Sequence, residues 1–506
     1  MSSIQELLDT PASSESPPVT VQGWIRTSRF SKRVTFLHLY DGSTTKTLQV
    51  VIFPAVSPEM KARLGVGSSV SVEGALVPSP GPKQPIEVKC SEDQITVLGD
   101  CDASEYPIQK KDTSPEFLRT VPHLRVRTEE FQRIFMARNI LSHAVHTFFQ
   151  EQGFLWIHTP VITSSDCEGA GEMFHVATRS TDFRHAGRPI GGHPEPGASI
   201  ASVVADALAD DRPWPKPPLV DDEFFGKEAF LTVSGQLDVE AFACAFSKVY
   251  TFGPTFRAEN SHTTRHASEF WMVEPEIAFA SLTDVMDLAE DFVISVLGKA
   301  VSAGLACGDA FDMYSQRRLE KRKQALAELH DGEPVPTTQH FARITYREAM
   351  VILAESGQTF EHPVGWGESL QSEHERYLAE VHFQKPVFVT HYPADQKPFY
   401  MRVTRMPEGE QWDRTVECFD LLVPGVGEVI GGSAREEDLA TLIKAMGCHG
   451  MDATDPAYQG YIDLRRYGTV PHGGFGLGLE RLIMWVTGTK NIRDVIPYPR
   501  TPGTIT

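Results

Sequence analysis

Between Thr251 and Phe279 the chain reads TFGPTFRAENSHTTRHASEFWMVEPEIAF, which places Arg257, Arg265, His262, His266 and four glutamates among aromatic residues. The apolar residues of TFGPTF and FWMVEPEIAF predict two paired strands, and the polar run NSHTTRHASE predicts a long loop joining them. Arg257, close to Glu259, suits a fork for phosphate or carboxylate, because a guanidinium binds oxyanions bidentately and keeps its charge. A surface hairpin with solvated ion pairs has the same composition, so a second element is needed. GGFGLGLERLIMWVTG (Gly473 to Gly488) supplies one: glycines lead into an apolar helical run opened by Glu480 and Arg481. Glycines let a backbone approach a ligand, and a helix N-terminus favours anions. Neither a Walker-type GxxxxGK[ST] nor a Rossmann GxGxxG is found.

FRAE, then RHxxEF, then GLGLER resemble motifs 2 and 3 of the class II aminoacyl-tRNA synthetases, in the subgroup of asparagine, aspartate and lysine enzymes. FQRIFMARNILSHAVHTFFQEQGFLWIHTP (Phe131 to Pro160) resembles the first motif, a long helix followed by a strand ending in proline. The resemblance runs from Val19 to Pro502. It implies an α+β fold: an N-terminal OB-fold β-barrel followed by a class II synthetase catalytic domain, an antiparallel sheet flanked by helices.

The boundaries expected are an N-terminal lead at 1–18, the barrel at 19–100, a hinge at 101–124 and the catalytic domain at 125–506. A Pro/Gly-rich insertion falls at about 179–218. Short alternating segments, VTVQGWI, VTFLHLY, TLQVVIF, SVSVEGALV and DQITVL, predict the barrel without reference to any family. YPIQKKDTSPEFLRTVPHLRVRT predicts a hinge from its proline and charge.

With 506 residues and 41% hydrophobic content, the chain can bury more than one core. No apolar run reaches membrane-spanning length and no signal peptide is legible, so a cytoplasmic protein with no membrane partner is expected. Seven cysteines without a CxxC pair argue for reduced thiols and against structural zinc. The net charge of −20 is unusual for a nucleic-acid binder. A local basic face at Arg26, Arg29, Lys32 and Arg33 suffices for one.

The resemblance implies site residues one by one. Arg257 grips the α-phosphate of ATP and the substrate carboxylate, with Glu259 beside it. Arg265, His266 and Arg481 contact the γ-phosphate, and Phe270 stacks on adenine with Arg481 on its other face. Asp420 and Glu428 hold Mg2+, whose alternative is an ion pair with an arginine such as Arg435. Glu168 and Gln236 hold the α-amino group, Glu274 belongs to the same amino-acid pocket, and Arg435 holds the side-chain carbonyl. In SGQLDVEAF, Val239 stands where aspartate enzymes have a lysine, and Glu240 follows it. Losing the cation and gaining a carboxylate suits an amide, so L-asparagine is the expected substrate and tRNA(Asn) the partner. Asp238, where asparagine enzymes commonly carry asparagine, departs from the pattern. Arg26, Phe36 and Gln49 are expected on the anticodon, with Arg29 nearby. An aspartate-specific enzyme, an ATP-dependent asparagine-forming relative and a non-catalytic RNA-binding paralogue are the alternatives. A homodimer is expected from the first motif.

Overall fold

The computed structural model of the chain describes residues 2–10, 17–81, 84–108, 113–165, 172–177, 224–305, 341–404 and 414–505. Glu168 and the 179–218 insertion lie outside them. The chain forms two compact units, one of Met1–Ile140 with Arg493–Tyr498, the other of Leu141–Ile492 with Pro499–Ile505.

In the first unit, alternating apolar residues turn inward from β1 (Val19–Phe30), β2 (Thr35–Tyr40), β3 (Leu48–Ile52), β4 (Ser69–Pro78) and β5 (Ile86–Cys90). β1 pairs with β2 and β4, β2 with β3, β3 with β5 and β5 with β4, which closes a five-stranded barrel. Val21, Ile25, Leu37, Leu39, Val50, Val70, Val72 and Val88 fill it and are at most 1% exposed. Each such burial is worth about 1.5–3 kcal/mol. DQITVL is not the closing strand: β6 (Ile95–Gly99) only extends the edge of β4, and the closing strand is the short IEVKC. The expected lead also carries structure. Helix Ile4–Asp9, capped reciprocally by Ser3 and Glu6, packs Ile4 and Leu7 on the barrel core.

The second unit is built on an eight-stranded sheet. Its strands are β7 (Leu155–Trp156), β10 (Lys248–Phe256), β11 (Glu269–Ala278), β12 (Ala342–Thr345), β13 (Val387–Thr390), β14 (Cys418–Val423), β15 (Gly427–Ala434) and β16 (His472–Gly478). Their order is β12-β13-β14-β15-β16-β11-β10-β7, antiparallel except at the β12–β13 and β10–β7 pairs. β8 (Ile162–Thr163) and β9 (Phe230–Leu231) form a separate pair. Helix Leu282–Ser302 is capped by Ser281 with Asp284 and buries Val285, Ala289, Phe292, Val293 and Val296, a 3.6-residue stripe, against the sheet. At the end of helix Glu129–Glu151, Phe149 stacks on Tyr250 of β10, and His146 Nδ1 lies 2.8 Å from the Tyr250 hydroxyl.

The glycine run is a strand rather than a turn. β16 lies between β15 and β11, and a Cβ at Gly474 would come within 2.2 Å of the Pro275 carbonyl oxygen and 2.1 Å of a Glu276 carboxylate oxygen. Glycine is required there for close strand approach. Helix Leu479–Thr487 then follows directly.

Candidate active site

β10 and β11 pair in register from Lys248–Ile277 to Phe256–Glu269, so the loop at 257–268 leaves from one end of the sheet. There a cleft open to solvent is lined by Arg257, Glu259, Arg265, His266, Phe270, Glu428, Gly476, Glu480 and Arg481. Arg257 lies 5.4 Å over the Phe270 ring, with its Nη1 4.0 Å from Glu259. Glu480, 1% exposed, accepts from the Trp271 N–H at 3.0 Å and ties the helix start to β11. Thus the hairpin residues and the Glu-Arg pair, more than 200 positions apart, form opposite walls.

The cations of this cleft already have carboxylate partners. Arg265 Nη1 is 2.9 Å from Glu375, on helix Ser372–Arg376, and Arg481 Nη1 is 3.3 Å from Glu428 Oε2. A Cβ at Gly427 (φ +89°) would meet both Glu375 and Arg265, so glycine leaves room for that pair. Desolvation alone would raise the Glu428 carboxyl, but Arg481 and then Lys397 outweigh it and hold it below the ordinary range. Burial, then the Arg481 charge, lowers His266. Its Nδ1 lies 2.6 Å from Thr263 Oγ1 and 3.0 Å from Ser261 Oγ; a hydroxyl donating to that nitrogen selects the neutral tautomer with the proton on Nε2.

Asp420 and Glu428 converge as expected, both within 3.6 Å of where a Gly431 Cβ would stand. Their partners differ from the expected one. Lys397 Nζ donates to both Asp420 oxygens, at 2.8 and 2.7 Å, and Arg435 contacts neither carboxylate. A divalent cation therefore finds a fitting oxygen donor in Glu428, whereas Asp420 is closed to it by an ammonium.

Deeper in the sheet lies a buried ionic network. Arg435 forks onto Glu276, Nε and Nη2 each at 2.9 Å, and Nη1 donates to Ser433 at 2.7 Å. Glu240, fully buried, accepts at Oε2 from Arg465 (2.8 Å) and His472 Nε2 (3.0 Å), and at Oε1 from Gln236 (3.0 Å) and Tyr461 (3.1 Å). With each oxygen accepting twice, Glu240 is not an open acceptor for a ligand amide; it sits behind Gln236 and orients it. Glu240, Glu276 and His472 have metal-like spacing, but two guanidiniums occupy the carboxylates. Glu274 accepts from the Ser234 hydroxyl and, at 3.1 Å, from the Gly235 N–H. Val239 is fully buried.

On the barrel, β2–β3 pairing places Phe36 beside Val51 and His38 beside Gln49, while β1 pairs Arg29 with Phe36. Gln49 donates to Glu87 at 2.9 Å. Arg26, at a bulge in β1, leaves that row: its guanidinium lies 4.1 Å over the Tyr40 ring and donates to Gln132.

Residues 114–186 and 209–502 match the family described as tRNA synthetases class II (D, K and N), and residues 19–98 match the OB-fold nucleic acid binding domain. The chain belongs to the class II tRNA synthetases of the D, K and N group. Within that family it is 46% identical to the asparagine--tRNA ligase of Microcystis aeruginosa, over 99% of this chain and 98% of the relative. It is 47% identical to the Bacillus cereus asparagine--tRNA ligase, over 96% and 95%. The Pyrococcus horikoshii asparaginyl-tRNA synthetase complexed with asparaginyl-adenylate superposes with a TM-score of 0.73 at 30% identity, covering 100% and 99% of the two chains.

For a class II synthetase of this group, sequence reasoning missed the partners more than the principals. Glu375, Arg465, Tyr461 and His472 carry no motif of their own. Lys397 lies within HYPADQKPFYMR, between Asp395-Gln396 and the apolar Pro398-Phe399-Tyr400, and nothing in that spacing names Asp420 as its partner.

Proposed function

We propose that the chain activates L-asparagine with ATP to asparaginyl-adenylate and transfers the asparaginyl group to the 3′-terminal ribose of tRNA(Asn), releasing AMP and pyrophosphate. The observation that carries this reading is the cleft in which Arg257, Arg265, His266 and Phe270 face Arg481 across the sheet end, in a chain so similar to asparagine enzymes.

In the first step a carboxylate oxygen of asparagine attacks the α-phosphorus and pyrophosphate leaves. Arg257 holds both anions together and offsets charge growing on the α-phosphate. Arg265 and Arg481 exchange Glu375 and Glu428 for phosphate oxygens, and His266 donates as a neutral group. Phe270 stacks on adenine. Glu428 would hold Mg2+, which when bound neutralises phosphate charge, and Asp420 would join it only if Lys397 moves. In the second step the ribose hydroxyl attacks the adenylate carbonyl; its proton passes to the departing phosphate.

Glu274, Gln236 and Glu168 take the α-amino group. Selection of the amide rests on a pocket whose cations are already neutralised: Arg435 by Glu276 and Arg465 by Glu240. With Val239 in place of a lysine, an aspartate carboxylate would meet no uncompensated cation. Arg29, Phe36 and Gln49 form the anticodon-reading face, with Arg26 bracing it. A homodimer fits the edge position of β7, where Leu155 and Trp156 are 45% and 40% exposed. Among the described residues no helix is long and apolar enough to cross a membrane; a cytoplasmic location agrees with the free thiols of Cys90, Cys101, Cys244, Cys418 and Cys448.

Amino-acid-dependent exchange of pyrophosphate into ATP is the test. Exchange with asparagine supports the reading, exchange with aspartate alone overturns the substrate, and none with either overturns the activity.

A further inference from the structure

Lys397 does not line the cleft but holds Asp420, the neighbour of the cleft's Glu428, and the mechanism gives it no task. Its Nζ bridges both oxygens of Asp420 at 2.8 and 2.7 Å and lies 4.0 Å over the Tyr392 ring. Both the lysine and the aspartate side chains are only 15% exposed. Burial works against both charges: Asp420 overcomes it and raises the Lys397 pKa, whereas the Asp420 carboxyl is itself raised by burial despite Lys397, and the two hydrogen bonds between them hold the pair together.

The neighbourhood balances without a metal. Asp420 and Glu428 bring two negative charges and meet at Gly431; Lys397 and Arg481 bring two positive charges, each within hydrogen-bond reach of one carboxylate. A divalent cation arriving alone would add charge to a neutral, poorly solvated cluster and would have to evict an ammonium from both oxygens of its second ligand. A triphosphate reverses that balance. It draws Arg481 away from Glu428 and supplies the oxygens that a small hard cation prefers.

We propose that Lys397 is a resident counter-ion that bars divalent cations from the Asp420–Glu428 pair in the empty enzyme, so that the metal enters only together with ATP. The order of loading is then set by a side chain outside the recognised motifs. This inference rests on the ATP-site reading given above. The lysine acts as a positioning residue, because it reaches the phosphates only through the carboxylates it holds.

Mn2+ serves as the probe, counted by electron paramagnetic resonance on the full chain with and without ATP, while ATP binding is measured separately by equilibrium dialysis. Wild type should bind Mn2+ in the presence of ATP and at least about tenfold more weakly in its absence, since the neutral cluster offers a free ion no net charge. Lys397→Met should bind one Mn2+ without nucleotide, Lys397→Arg should behave as wild type, and Lys397→Met with Asp420→Asn should lose the gain. Equal Mn2+ affinity of wild type with and without ATP overturns the inference, as does a folded Lys397→Met chain that gains nothing. If Lys397→Met does not fold, Lys397→Gln is read in its place, because ATP itself ligates Mn2+ and only a lysine variant isolates the counter-ion. Failure of ATP itself to bind would instead sink the reading of the cleft as a nucleotide site.

Discussion

Replacing Glu240 by glutamine keeps the shape of the side chain and removes one charge from the centre of the buried network. The carboxylate accepts from Arg465, His472, Gln236 and Tyr461, two donors on each oxygen. An amide has one accepting end; whichever way it is turned, its NH2 faces two donors. One orientation costs the bond to Arg465, a residue only 5% exposed, and strains that to His472; the other keeps them but makes the Gln236 amide and the Tyr461 hydroxyl turn round to accept, and either way Arg465 loses its counter-charge. Bonds to charged groups are worth about 1.5–3 kcal/mol each, and breaking a buried ion pair costs about 3–5 kcal/mol. The two estimates overlap, and we expect Glu240→Gln to lose about 3–5 kcal/mol. Urea unfolding followed by tryptophan fluorescence reads this directly. Because Gln236 loses its anchor, the KM for asparagine in pyrophosphate exchange should rise while that for ATP is unchanged, and the preference over aspartate should fall. A stability loss below about 1 kcal/mol, the scale of an ordinary substitution, together with unaltered preference would refute the assignment of Glu240 as the anchor of the pocket.

Arg257→Ala should reduce asparagine-dependent exchange by at least about a hundredfold, the scale of losing one oxyanion donor, and Arg257→Lys should not restore it, because an ammonium lacks the fork; retained exchange in the alanine variant removes Arg257 from the phosphate. His472 gives a pH dependence. Burial opposes its charge, but the hydrogen bond it donates to Glu240 prevails and raises its pKa above 6.5. Its contribution to stability is complete below the unfolded value and is lost as pH rises through the raised folded value. As pH rises above 6.5, the ordinary histidine value, and through the raised folded one, the urea midpoint of wild type should fall relative to His472→Gln; parallel curves would contradict a charged His472.

Both walls of the cleft were legible because their residues are local: FRAE opens one loop and LER one helix. The barrel was legible through its alternation, but IEVKC was passed over, five residues between a Pro/Gly-rich stretch and DQITVL, which has the same pattern and only extends the edge. GGFGLG was legible only as a lead into a helix, because glycine carries no strand pattern of its own; its place between β15 and β11 makes it a strand.

What the sequence determined by itself was the inventory: which residues are charged, which segments alternate and which family pattern they follow. The pairing of those charges came only with the fold. Lys397 meets Asp420 across 23 positions, Glu375 meets Arg265 across 110, and Glu240 meets Arg465 across 225. In each case the partner is chosen by how helices and loops pack against the sheet, and by desolvation. A buried carboxylate must find a cation, and no local spacing says which strand or helix will deliver it.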